Sequence, residues 1–236
     1  MAIFAISDLH LALSTPKPMD IFGDGWIRYM DRTEEAWRAV VQPEDHVLIP
    51  GDLSWATYLE AADADFDFLE ALPGRKVISK GNHDYWWTTM RKMQAYLERR
   101  QLETISFLHN DVIRIGTVAV VAARGWLCPG MPDYRAAEDE KIYLREIGRL
   151  RLSLAILEKQ RQPYDKLIVM LHFPPFSNKV PQTAFTEILE ASHPDICLYG
   201  HLHGPAAQYA YQGKLGGTEF IMVAADHLQF HPLRID

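Results

Sequence analysis

Short continuous apolar runs alternate along this chain with longer stretches whose apolar residues keep helical spacing. Ala2-Ile3-Phe4-Ala5-Ile6, His46-Val47-Leu48-Ile49, Lys76-Val77-Ile78-Ser79, Leu167 to Leu171 and Ile196-Cys197-Leu198-Tyr199 are too short for helices and predict buried strands. Between them, Asp31-Arg32-Thr33-Glu34 has capping-box spacing and predicts a helix start, with Trp37, Val40 and Val41 on one face. Ser54 predicts a cap for a helix with Trp55, Tyr58, Leu59, Ala62, Phe66 and Leu69 at helical intervals. Met90, Met93 and Leu97 mark a third helix that closes in Arg99 and Arg100, as the helix dipole favours. Tyr143, Ile147, Leu150, Leu154 and Leu157 mark a long fourth one, and Phe185, Ile188 and Leu189 a fifth. The stripe on the fourth is too short for a coiled-coil seam and predicts core packing.

The intervening segments are less regular. Residues 14 to 30 hold Pro and Gly together with Trp26 and Tyr29, and predict a loop over the surface. Two β-rich runs, 105 to 108 and 112 to 123, predict a hairpin or adjacent strands, and residues 207 to 236 predict strands separated by Gly213, Gly216 and Gly217. Asp63, Asp65 and Asp67 mimic the start of a calcium loop, but Phe68 and Gly74 stand where that loop needs glycine and glutamate, which predicts a solvated helix face. Early βα alternation followed by a β-rich end gives an α/β fold, two packed mixed β-sheets flanked by helices in one domain over residues 1–236.

Composition narrows the setting. At 236 residues the chain can bury a sizeable core, and its net charge of −7 opposes a polyphosphate backbone, so nucleic acid is not the expected partner. Two cysteines, Cys128 and Cys197, do not make a disulfide scaffold and fit a reducing cytoplasm. No apolar run approaches the ~18 residues of a membrane span, and strand-like sequence from Ala2 leaves no room for a cleaved leader.

Chemistry collects at the strand ends. Asp8 and His10 follow the first strand, and being two apart in extended chain they share a face. Asp52 follows the second strand, Gly81-Asn82-His83-Asp84 the third, His172 the fourth, and Gly200-His201-Leu202-His203-Gly204 the last. The carboxyl ends of strands are where open α/β sheets place ligands. Packing alone does not put metal-capable side chains at five strand ends, whereas His46, His109, His193, His227 and His231 need no function beyond half-buried hydrogen bonding.

The order Asp-x-His, Gly-Asp, Gly-Asn-His-Asp, His, Gly-His-x-His, spread over residues 8 to 203, resembles the calcineurin-like metallophosphoesterase superfamily. The resemblance implies a four-layer αββα sandwich with a dinuclear metal centre at the strand ends. Asp8, His10, Asp52 and His203 would hold one ion, and Asp52, Asn82, His172 and His201 the other, with Asp52 as bridge. Two divalent ions (Mn, Fe, Zn or Ni by donor type) clamp a phosphate and lower the pKa of a bound water. The resemblance thus implies attack of metal-bound hydroxide on a small phosphomonoester or phosphodiester. It casts His83 as general acid, oriented by Asp84. A nuclease would need a basic groove that the acidic composition opposes. A non-catalytic module of this fold would be expected to lack His83 or some ligands, and all are present.

Two departures bear on detail. Many relatives have an aspartate where Trp55 stands, and the arginine that follows the corresponding motif in protein serine/threonine phosphatases is missing, which disfavours a phosphoprotein substrate. Trp55, Tyr85, Trp86, Trp87 and Trp126 are open to two roles, a substrate-lining surface or core beneath the site. Arg124 could pair bidentately with a phosphate, though an ordinary surface arginine is the simpler reading.

Overall fold

Burial on both faces is what turns the apolar runs into central strands. The computed structural model describes residues 1–236. In chain order it contains β1 (Ile3–Ala5), α1 (Tyr29–Val40), β2 (His46–Pro50), α2 (Asp63–Ala71), β3 (Arg75–Ser79), α3 (Met90–Arg100), β4 (Ile105–Phe107), β5 (Val112–Ile115), β6 (Val118–Ala122), α4 (Ala136–Gln160), β7 (Lys166–Met170), α5 (Ala184–Ser192), β8 (Ile196–Tyr199), β9 (Gly213–Leu215), β10 (Thr218–Met222) and β11 (Leu233–Arg234). The chain divides into two compact units, Met1–Phe107 with Val223–Asp236, and Leu108–Met222. Each holds one mixed sheet and its helices, the α/β class expected.

In the first unit the strand order is β11-β1-β2-β3-β4. β1 to β4 run parallel, with Phe4 opposite Val47 and Leu48 opposite Val77, and β11 pairs antiparallel to β1. Trp37 of α1, Phe66 and Leu69 of α2, and Met93 and Leu97 of α3 join Phe4, Val47, Ile49 and Ile78 in one core. The second unit has the order β5-β6-β7-β8-β10-β9, parallel from β6 to β10 with antiparallel edges. There Tyr143, Ile147, Leu150, Leu154 and Leu157 of α4 are buried, which makes the stripe core as predicted. The Tyr143 ring meets Phe185 of α5 edge-on at 5.6 Å.

Several local expectations are corrected. α1 begins at Tyr29, two residues before the expected cap Asp31, with Arg28 in the left-handed conformation and no side-chain cap; Asp31 accepts from Arg28 Nε and Glu34 from Arg38 Nε, each at 2.9 Å. Residues 19–22, 24–26 and 204–209, expected as irregular chain or strand, form short 3-10 helices. Ser54 caps no helix: residues 55–58 are irregular, a 3-10 turn follows at Leu59–Ala62, and α2 starts only at Asp63. The Ser54 hydroxyl donates to Asp65, which also accepts from the Leu13 backbone at 2.8 Å and is fully buried, so the acidic run is not a solvated face. Asp63 and Asp67 bind Arg100. The two β-rich runs are three strands: β4 joins β3 in the first sheet, and β5 and β6 make the hairpin around Gly116. Cys128 and Cys197 are buried free thiols, burial pushing the Cys128 thiol up to about 12. No helix is long and apolar enough to cross a membrane.

Candidate functional site

Past the ends of β1 and β2 the two chains stay paired while their backbones bend. Asp8 N–H donates to Gly51 O and His10 N–H to Asp52 O, both at 3.0 Å, and Leu11 N–H to Leu53 O at 2.8 Å. Asp8, His10 and Asp52 all have positive φ (58°, 45° and 52°). Non-glycine residues held there cost on the order of 1–3 kcal/mol each and concentrate at functional sites. The bends bring His10 Nε2 to 4.0 Å from Asp8 Oδ1 and 3.8 Å from Asp52 Oδ2. One carboxylate oxygen each of Asp8 and Asp52 lie within 4.8 Å of one another. All three residues are at most 3% exposed. Donors bound about 2.1 Å from one ion at tetrahedral angles would sit roughly 3.4 Å apart. Carboxylates excluded from water also call for a compensating cation. Two carboxylates and an imidazole so placed fit a divalent transition metal.

The turn after β3 braces this cluster. Four donors converge on the buried Asp84 carboxylate: the backbone N–H groups of Asp52 (3.0 Å), Leu53 (2.9 Å) and Gly81 (2.7 Å), and the Trp86 indole N–H (3.0 Å). Each oxygen accepts two of them. Asp84 ties the Asp52 bend to the Gly81 turn. His83 N–H donates to Asp52 Oδ1 at 2.8 Å. A Cβ on Gly81 would lie 2.1 Å from Asp52 Oδ1 and 2.3 Å from its backbone nitrogen. Gly81→Ala is therefore expected to destabilise the fold by about 1–3 kcal/mol, as overpacking does. A urea midpoint equal to wild type would show that the turn has room after all.

Rings enclose the same residues. The Trp55 indole stacks on His10 at 4.8 Å, and Trp26 meets His10 edge-on at 6.0 Å. Tyr29 donates to the His10 carbonyl at 2.6 Å, and burial holds its hydroxyl well above the usual phenol range, so it stays a donor. Trp86 is core, packed on Phe66, Trp87 and Phe107, whereas Tyr85 is largely exposed. Asn82 and His83 are half-buried on the turn itself.

The second unit gathers its own histidines. His172 follows β7 and is fully buried; its N–H and that of Phe173 both donate to Arg124 O, at 2.8 and 3.0 Å. His201, after β8, again has positive φ (69°). Its ring lies 5.2 Å from that of His172 and 4.0 Å from Phe173. His203 precedes the 3-10 turn at Gly204–Tyr209. Arg124 is no surface residue: its side chain is 10% exposed, binds Glu146 at 3.2 Å and lies 4.3 Å over the Trp126 ring. Trp126 in turn packs on Phe173 at 4.8 Å. Phe173 and Glu146 are not singled out by the sequence; adjacency to His172 is the one available signal for Phe173, and nothing marks Glu146.

A family model described as calcineurin-like phosphoesterase matches residues 1–205. Among solved structures, the chain is similar to phosphopantetheinyl hydrolase (PptH) from Mycobacterium tuberculosis, at 16% identity and TM-score 0.54 over 94% of this chain and 88% of that one. It is also similar to TT1561 of Thermus thermophilus, at 15% identity and TM-score 0.55 over 93% and 87%. At these identities the likeness concerns the fold. No curated protein matches the chain.

Proposed function

As the chain belongs to the calcineurin-like phosphoesterase family, we propose that it hydrolyses small phosphate mono- or diesters at a dinuclear metal centre. Its ligands would be Asp8, His10, Asp52, Asn82, His172, His201 and His203, with Asp52 shared and His83 as general acid. Mn, Fe, Zn or Ni suit this mixture of imidazole, amide and carboxylate donors. The observation that carries the reading is the buried trio Asp8, His10 and Asp52, three donors brought together on strained backbone.

Bound divalent ions supply charge neutralisation on phosphate and a nucleophilic water near neutral pH. The chain supplies the rest. Asp84 holds the Asp52 bend through two backbone N–H groups, so the carboxylate is pre-oriented before metal binds. Burial of Asp8, His10 and Asp52 keeps bulk water from competing for those donors. His83, anchored by its backbone N–H to Asp52 and only half-buried, stands next to the ligands and serves to protonate the departing oxygen.

The direct test is removal of metal. Dialysis against a strong chelator is expected to abolish hydrolysis of a panel of mono- and diesters, and Mn, Fe, Zn or Ni to restore it. Turnover that persists in protein shown by elemental analysis to be metal-free would sink the proposal.

A further inference from the structure

Trp55 occupies a place that the proposed reaction does not explain. Its ring lies 4.6 Å from that of His83, inclined at 51°, and 4.8 Å from that of His10, inclined at 20°. The His10 and Tyr85 rings stand farther from His83, at 5.6 Å and 6.0 Å. The indole is itself fixed from three directions. Its Nε1–H donates to the buried Met19 Sδ at 3.1 Å, and the Lys17 ammonium lies 3.7 Å from the ring centroid. Its backbone N–H donates to Leu11 O at 3.0 Å, on the same loop as His10. Its neighbour Ser54 is pinned by Asp65.

We infer that Trp55 is a positioning residue: a fixed aromatic wedge that sets the orientation of the His83 imidazole relative to His10. The backbone anchor of His83 to Asp52 fixes where the residue starts but not where its ring points, because two side-chain torsions lie between. A flat indole packed against the half-buried imidazole excludes the rotamers that would sweep through it. Tyr85, largely exposed, has no such hold on the ring. The inference deepens the phosphoesterase reading and rests on it for the catalytic consequence, but not for the geometry.

Two variants separate the ring from its bulk. Trp55→Leu keeps an apolar side chain without the aromatic face, and Trp55→Phe keeps a face. In metal-free protein, the three-bond couplings that report the His83 χ1 rotamer are expected to show a single rotamer in wild type and in Trp55→Phe, and averaging over rotamers in Trp55→Leu. In the metal-loaded enzyme, Trp55→Leu should lower kcat on an alkyl phosphate about 10–100-fold with KM within about threefold, as a misplaced catalytic group does. The loss on nitrophenyl phosphate should be several-fold smaller, and Trp55→Phe should recover most of the activity. A single, unchanged His83 rotamer in Trp55→Leu overturns the inference, as does an equal loss on both esters. Wild-type protein inert towards every ester would overturn the phosphoesterase reading, while the coupling measurement on metal-free protein still decides whether Trp55 holds the ring.

Discussion

Asp52→Asn is expected to strip the protein of both metal ions together and to lower kcat/KM at least about 10³-fold, roughly 4 kcal/mol of barrier. Asparagine retains the shape and an oxygen able to accept the His83 N–H bond now made at 2.8 Å to Oδ1. It loses the negative charge on the oxygen 3.8 Å from His10 Nε2. Among the proposed ligands only Asp8 and Asp52 bear charge, so the substitution removes half of the carboxylate charge available to two divalent ions. A shared ligand weakens both sites, whereas a terminal one weakens a single site. Asp8→Asn is the one-ion comparison, fully buried like Asp52 and equally strained in backbone. Metal titration of the two variants decides the matter: one ion lost and the other bound normally in Asp52→Asn would make Asp52 a terminal ligand.

Strand ends are legible because two signals coincide there. An apolar run buried on both faces stops abruptly, and the polar residue that stops it has to face something other than the core. Asp8, Asp52, Asn82, His172 and His201 each lie just beyond such a run, and β1, β2, β3, β7 and β8 fall where the runs predict them. Sequence fails where polar residues are buried by long-range bonds. Asp65 looks solvated beside Asp63 and Asp67, yet it is sealed in by Ser54 and by the Leu13 and Ser14 backbone, some fifty residues earlier. Lys76 looks like the charged start of a strand, but it is fully buried, donating to Leu72 O and to Thr104 Oγ1 at 2.9 Å, and burial lowers its pKa to about 8. The helix start expected at Asp31 is displaced to Tyr29: the Asp31 and Glu34 carboxylates expected to form the capping box accept instead from Arg28 and Arg38, each at 2.9 Å. In the candidate site, the donor residues are legible by type and order, but their bracing is not. No local pattern says that Asp84 gathers N–H groups from a loop thirty residues upstream, or that Gly81 is needed because Asp52 lies against it. Trp55 is visible only as an aromatic near a motif; its contact with two imidazoles is a tertiary fact.

His83→Ala separates a hydrolase from a metal-binding scaffold. The residue lies between a proposed ligand, Asn82, and the loop-bracing Asp84, and its backbone N–H donates to Asp52. Alanine preserves that backbone N–H, so the Asp52 bend should survive and metal content should stay near wild type. What disappears is the imidazole, and with it the proton for the departing oxygen. General acid catalysis typically contributes 10²–10⁴-fold, about 3–5 kcal/mol of barrier, and the size of the loss should follow the leaving group. An alkyl phosphate departs as a strongly basic alkoxide and needs the proton, so kcat on it should fall through most of that range. A nitrophenolate is already a tolerable leaving group, and the same variant should lose far less on its ester. Equal losses on the two would mean that His83 positions phosphate or water instead of donating a proton. Loss of an equivalent of bound metal would make it a ligand and return the question of the acid to another residue.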